Sequence, residues 1–278
     1  MNEVSGSLSA VPILMAGFAL FSSSIVFAQK AEVTTYIAKK NAVISITNNY
    51  GPITVKPSTG RQVEVRAIAH SNVVKFENEQ HGKRIALRSI SDQPGTALCE
   101  YAVLVPIDSF LVALGGGAVH VEGLSGDILL ESGNASIEIS NIDNAYVHVR
   151  TMDGPIALSG IRNSHVDIHS INGNISIAAV RQSWVDVNSV GGRIEYIGDP
   201  GSNGEYLLTT HSGDLEVSVP AAAPVEIKAH SLNGETDPGG QANISGFVHK
   251  NFFAKPALIG TSRFVLRSFR GKIHVARP

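Results

Sequence analysis

From residue 136 onward, apolar and polar residues alternate in short runs: SIEIS, YVHVRTMDGPIALS, HVDIHSINGNISIA, WVDVNSVGGRIEYI, YLLTTHSGDLEVSV and VEIKAHSLNGET. The aliphatic positions sit two apart, as in Val166 and Ile168, Ile175 and Ile177, Val185 and Val187, Ile194 and Tyr196, and Val217 and Val219. A period of two is the period of a β-strand, in which successive side chains point to opposite faces. Between them lie His148, Asp167, Ser176, Asp186, Glu195 and Glu216, so one face is predicted to be core and the other to meet water. Where a helix would want Ala, Glu, Lys and Leu, the chain supplies Val, Ile, Thr and Ser. The pattern predicts an all-β protein.

The runs recur around marker glycines, Gly133, Gly154, Gly173, Gly192, Gly213 and Gly234, spaced 19 or 21 residues apart. Each unit holds two strands and a turn. Several of these glycines follow Asp153, Asn172, Ser212 or Asn233, which predicts corners that need a positive φ. Short strands at even spacing fit an antiparallel β-sandwich or a parallel solenoid. A near-constant unit favours the solenoid, because equal coils keep equivalent residues in register. The expectation is therefore a single-stranded parallel β-solenoid (β-helix) with coils of about 19–21 residues over 116–278, with the antiparallel sandwich as the alternative. Residues 29–115 read as an irregular β region of the same fold, with a corner at Gly51, a restart after Pro106, and Gly115, Gly116 and Gly117 relaxing a strand. Residues 235–262 read as a loop insertion. The closing RFVLRSFRGKIHVARP reads as the last coil, with Arg263, Arg267, Arg270, Lys272 and Arg277 as a basic, aggregation-resistant edge.

The order NNYGPITV, VEVRA, YAVLVPIDSFLVAL and VHVEGLSGDILLESGNASIEI, followed by repeated V-x-V…(D/N/S)-G-x-I-x-I units, resembles a bacterial family of β-strand-repeat proteins known as putative adhesins, with a domain of unknown function. The resemblance covers about Asn41 to Val275. It implies an exported or envelope-tethered β-solenoid and brings no catalytic residues with it.

Residues 1–28 read as a signal peptide: an uncharged apolar run from Val11 to Phe21, three serines, and a small-residue cleavage site, Val26-x-Ala28, before Gln29. Against this, MNEVSGSLSA carries Glu3 and no basic residue, and Ala10 to Ala28 could just span a bilayer if uncleaved. The predicted location is secreted, periplasmic or cell envelope, with the membrane reached only through that segment if it is retained. The charge balance, 22 Lys and Arg against 24 Asp and Glu for a net −2, argues against nucleic acid as a partner. A lone cysteine, Cys99, can form neither an internal disulfide nor a multi-cysteine zinc site and reads as core.

Aligning the repeats on their glycines places Tyr146, His165, Trp184 and Glu205 in one outward column. His148, Asp167, Asp186 and Leu207 form the next, and Arg150, His169, Asn188 and Thr209 a third. The binding candidates are Tyr146, His148, His165, Asp167, His169, Trp184 and Asp186, whose rings and hydrogen-bonding groups suit a sugar. The alternative is a solvated sheet decorated by cross-strand pairs. Residues two apart on a strand stand about 6.8 Å apart, too far for metal ligands to converge without neighbouring coils, so no metal is assigned. Stacked Asp167 and Asp186 would lie within the spacing of a retaining glycosidase. Leu207 breaks that acidic column, however, and a flat face excludes little water. No nucleophile elbow, zinc-protease, phosphate-loop or EF-hand motif occurs. The reading is a non-enzymatic module without cofactor, whose partner is a cell-surface glycan or an envelope protein; the alternative is a carbohydrate-active enzyme, a glycoside hydrolase or lyase, using Asp167 and Asp186.

Overall fold

A computed structural model describes residues 30–237 and 259–278. The predicted signal segment 1–28 and most of the predicted insertion 235–262 lie outside the described residues. In chain order the strands begin with β1 (Lys30–Ile37), β2 (Val43–Asn48), β3 (Ile53–Pro57), β4 (Gln62–Ala69), β5 (Val74–His81), β6 (Arg84–Ser91), β7 (Cys99–Val105), β8 (Phe110–Gly115) and β9 (Val119–Glu122). The regular repeats are β10 (Ile128–Ser132), β11 (Ile137–Ser140), β12 (Tyr146–Thr151), β13 (Ile156–Ser159), β14 (His165–Ser170), β15 (Ile175–Ala178), β16 (Trp184–Ser189), β17 (Ile194–Ile197), β18 (Glu205–Thr210) and β19 (Leu215–Ser218). The described strands end with β20 (Val225–Ser231), β21 (Thr236–Asp237), β22 (Ser262–Ser268) and β23 (Ile273–Ala276).

The architecture is a parallel β-solenoid, not a sandwich of hairpins. Among the described residues, each coil contributes one longer strand to an 11-stranded sheet and one shorter strand to a 12-stranded sheet. From β8 to β19 every pairing is parallel and joins a strand to its counterpart in the next coil. Equivalent residues stack in columns: Val147 on Val166 on Val185, and Ile156 on Ile175 on Ile194. These side chains are buried between the sheets in one continuous core. Ile142, Ile161 and Val180 close the core at the corner leading back to the long-strand sheet. Where the next coil is two residues longer, aromatic rings fill the wider interior. Tyr206 stacks on Phe264 with centroids 4.4 Å apart, and Tyr196 meets both edge-on. The hydroxyls of Tyr196 and Tyr206 donate to the Val180 carbonyl at 2.7 and 2.9 Å, so neither buried phenol lacks a partner.

The corner from the long-strand sheet to the short-strand sheet rests on a column of hydroxyls that periodicity did not expose. Thr151, Ser189, Thr210, Ser268 and Ser231 each accept a hydrogen bond from the N–H three residues on, that of Gly154, Gly192, Gly213, Gly271 and Gly234, at 2.8–3.1 Å. The glycine is required because coils touch there. A Cβ on Gly192 would lie 2.1 Å from the Gly173 carbonyl oxygen, and one on Gly173 would lie 2.0 Å from that of Gly154. This corrects the expected reason for the marker glycines. Positive φ occurs instead at the opposite corner, in Gly123, Asn141, Gly160, Ala179 and Gly198 and in Asn144, Asn163, Gln182 and Asn203. Gly133 is also out of column. Ser132 pairs with Thr151, so Gly133 stands level with Met152, and Ala135 occupies the place of Gly154. Gly116 and Gly117 do not loosen a strand. Added Cβ atoms there would strike the backbone of Asn49 and Gly51 at 2.3 and 2.4 Å.

Both ends of the solenoid are interleaved. Strands β22 and β23, last in sequence, slot between β18 and β20 and between β19 and β21. The final strand pair is therefore an inner coil, and Arg263, expected on a basic edge, is 2% exposed. At the other end β2 lies between β6 and β8, and β3 between β7 and β9. Beyond them the pattern turns antiparallel, with β5 on β6 and β1 and β4 extending the short-strand sheet past β7.

Candidate functional site

The outer face of the long-strand sheet carries every binding candidate read from the sequence. Strands β12, β14 and β16 are six residues each, with the pattern exposed, buried, intermediate, buried, exposed, buried. The odd positions thus face out because the even ones hold the aliphatic core. Register places Tyr146 beside His165 and His165 beside Trp184, His148 beside Asp167 and Asp167 beside Asp186, and Arg150 beside His169 and His169 beside Asn188. On the next rung stand Glu205, Leu207 and Thr209. The rung after that is Arg263, Val265 and Arg267. That last rung was not legible, because β22 follows β18 in space but not in sequence.

Asp167 sits at the centre of this face. One carboxylate oxygen lies 2.9 Å from Nδ1 of His148 and the other 3.1 Å from Nε2 of His169. Both oxygens are therefore engaged, leaving Asp167 poorly placed to attack a substrate. Asp186 differs. Burial pushes its carboxyl above the usual carboxylate range and the neighbouring Asp167 adds to this, with His169, His165 and Arg267 pulling the other way. The aromatic column packs largely on itself. His165 and Trp184 stack at 5.6 Å with planes 20° apart, and Tyr146 meets His165 edge-on at 4.9 Å. Between His165 and Trp184 the ring faces are turned to one another, so on those rungs ring edges, imidazole nitrogens and carboxylates form much of what the strip offers a ligand.

The surroundings are open. A shallow cleft of about 460 Å³, lined by Asn49, Leu114, Gly115, Glu131, Arg150 and Met152 among others, lies at one end of the face, on the rungs of β8, β10 and β12. It does not enclose Asp186, which sits two rungs further along. Among the described residues no three His, Cys, Asp or Glu side chains are arranged to hold a metal ion. Cys99 is buried and its thiol donates to Oδ1 of Asn48 at 3.0 Å. Burial, opposed by contacts with Ser89 and Asn48, raises the thiol pKa, the condition of a structural cysteine.

Comparison with known proteins bears on this fold more than on this face. No curated protein matches the chain. A solved structure from Parabacteroides distasonis ATCC 8503, named "putative lipid binding protein", is 13% identical over 87% of this chain and 96% of its own, with a TM-score of 0.50. Another, from Clostridium sporogenes ATCC 15579 and named "putative cell adhesion protein", is 12% identical over 90% of this chain and 100% of its own, with a TM-score of 0.26. At such identities a likeness concerns fold alone. A model of the Toastrack DUF4097 family matches residues 14–238, most of the chain, and the chain belongs to that family.

Proposed function

We propose that this chain is an exported, non-catalytic binding or structural module of the adhesin type. In this reading it works in the cell envelope or outside the cell and meets a surface glycan or an envelope protein through the outer face of its long-strand sheet. The observation that carries the reading is the column Tyr146, His165 and Trp184 beside the column His148, Asp167 and Asp186, held in register on a rigid ladder. Such a face presents hydrogen-bonding groups at the coil interval of about 4.8 Å. An extended polymer can run along it, whereas a small substrate finds no enclosure. The leader-like residues 1–28 supply the case for export, and the names of the two solved structures are in keeping with a surface or lipid-associated role.

One observation favours a different class. A carboxyl raised by burial, Asp186, beside a second carboxylate, Asp167, is the kind of pair that a carbohydrate-active enzyme uses. Glycan-array binding and a reducing-sugar assay on the same protein separate the two. For a binding module, Tyr146→Ala with Trp184→Ala abolishes retention on the array, and no sugar is released by wild type. Turnover by wild type that disappears in Asp167→Asn with Asp186→Asn would instead establish the enzyme. Undiminished retention by the aromatic variant removes this face from the function.

A further inference from the structure

A second surface lies not on the face but along the corner. In each coil the residue after the buried hydroxyl points away from the core, and register aligns these residues in one line: Met152, Ile171, Val190, His211, Phe269 and Leu232. The backbone keeps this order through the turn. The N–H of Ile171 donates to the carbonyl of Met152, and that of Val190 to the carbonyl of Ile171. Five of the six are large and apolar, and they are exposed by 54% at Met152, 43% at Ile171, 48% at Val190, 36% at Phe269 and 59% at Leu232. Turn positions facing water ordinarily carry small polar residues, and the adjacent positions here do so, with Asp153, Asn172, Gly191, Ser212 and Asn233. One residue per coil, apolar on five of the six rungs and His211 on the other, thus builds a ridge about 24 Å long at the usual strand spacing.

The shape and charge of the ridge select its occupant. It is one residue wide, with only Met152 at its end bordering the shallow cleft, and a flat protein face would touch it only along a line. A lipid interface deforms around such a line and buries it. The flanks are basic. Arg150 and Arg267 stand two residues before the ridge position on their rungs, and Arg270 follows Phe269, with its guanidinium 5.7 Å from that ring. On these rungs the same flanking positions hold a single acid, Asp153; Glu131 belongs to the rung of Gly133, where the apolar line has already ended. We propose that this corner docks on an anionic phospholipid bilayer, with the solenoid axis lying along the membrane plane, the apolar line immersed at the headgroup boundary and the three arginines on phosphates. Membrane contact would then not be confined to residues 1–28, and this inference does not rest on the function assigned to the long-strand face.

The test places an environment-sensitive dye on the full chain at Val190→Cys and, in a separate protein, at Asn163→Cys on the opposite corner; the native Cys99 is buried. With vesicles of phosphatidylglycerol and phosphatidylcholine, the dye at 190 shifts to the blue and is quenched by spin-labelled lipid, while the dye at 163 does neither. Pure phosphatidylcholine gives a weaker response. Arg150→Glu with Arg267→Glu weakens binding to the anionic vesicles by about tenfold or more, and Ile171→Asp with Phe269→Asp removes the shift at 190. A dye at 190 that stays in water on anionic vesicles overturns the proposal, as do equal responses at both positions, which a leader acting as the sole anchor would give. A blue shift without vesicles that grows with protein concentration overturns it too, by assigning the ridge to a second copy of the chain.

Discussion

Glycine serves opposed ends at different corners of this molecule. At Gly192 the backbone needs no unusual φ, but a Cβ would lie 2.1 Å from the carbonyl oxygen of Gly173, and the coils above and below cannot part without breaking ladder hydrogen bonds. Gly192→Ala is therefore expected to cost about 1–3 kcal/mol, as overpacking does in a filled interior. At Gly133 nothing lies within 4 Å of the same atom, so Gly133→Ala should be neutral or stabilise by about 0.4–1 kcal/mol through the unfolded chain. Urea denaturation of the two variants decides the matter, and equal losses at both positions would contradict the packing argument. Asp186 gives a pH-dependent counterpart. Its folded pKa is raised, first by burial and then by Asp167. Its contribution to stability is thus fully present below the unfolded pKa of about 3.9 and lost as pH rises through the folded pKa. At neutral pH the ionised carboxylate is a net cost. Asp186→Asn should accordingly melt higher than wild type at pH 7, with the difference closing below about pH 4. A melting temperature lowered at pH 7 would show that the charge is needed by His165, His169 or Arg267.

At the level of strands and corners, what could be read from the sequence depended on whether a signal was local and whether it recurred at constant length. Alternation in HVDIHS and WVDVNS set the buried and exposed faces, and the 19-residue interval set Tyr146 beside His165 beside Trp184. The candidate face was legible because three successive coils are equal. The corners were harder. Thr151, Ser170, Ser189 and Thr210 end polar-looking strands and resemble ordinary surface residues, yet they are buried. Their recurrence as Ser/Thr-x-x-Gly was the available signal, and it also separates Gly154 from Gly133, which lacks the preceding hydroxyl at that spacing. The apolar ridge hid for a related reason. Met152, Ile171 and Val190 each look like the end of a core strand until the hydroxyl before them is known to be the last inward side chain.

At the scale of the whole molecule, no periodicity could have disclosed the interleaved ends, because the partner of Thr209 is Arg267 rather than a residue one coil later. Geometry, not sequence distance, decides what the carboxyl terminus does. Strand β22 covers β18, where Tyr206 and Leu208 are fully buried, and is itself covered by β20. Removing residues 259–278 would uncover those side chains, open the edge of a long parallel sheet and leave β20 without a neighbour, so the loss is far larger than that of a terminal cap. An internal deletion of similar length should behave differently. Excising residues 160–178 joins Ser159 to Ala179, which stands one coil on from Gly160, and the remaining columns can close in register with one rung fewer. The internally deleted protein is expected to keep a cooperative thermal transition by circular dichroism and to bind no hydrophobic dye. The truncated protein should lose that transition, bind dye and aggregate. If the truncated chain melts like wild type while the internal deletion does not, the inserted coil is dispensable and stability resides in an uninterrupted central stack instead.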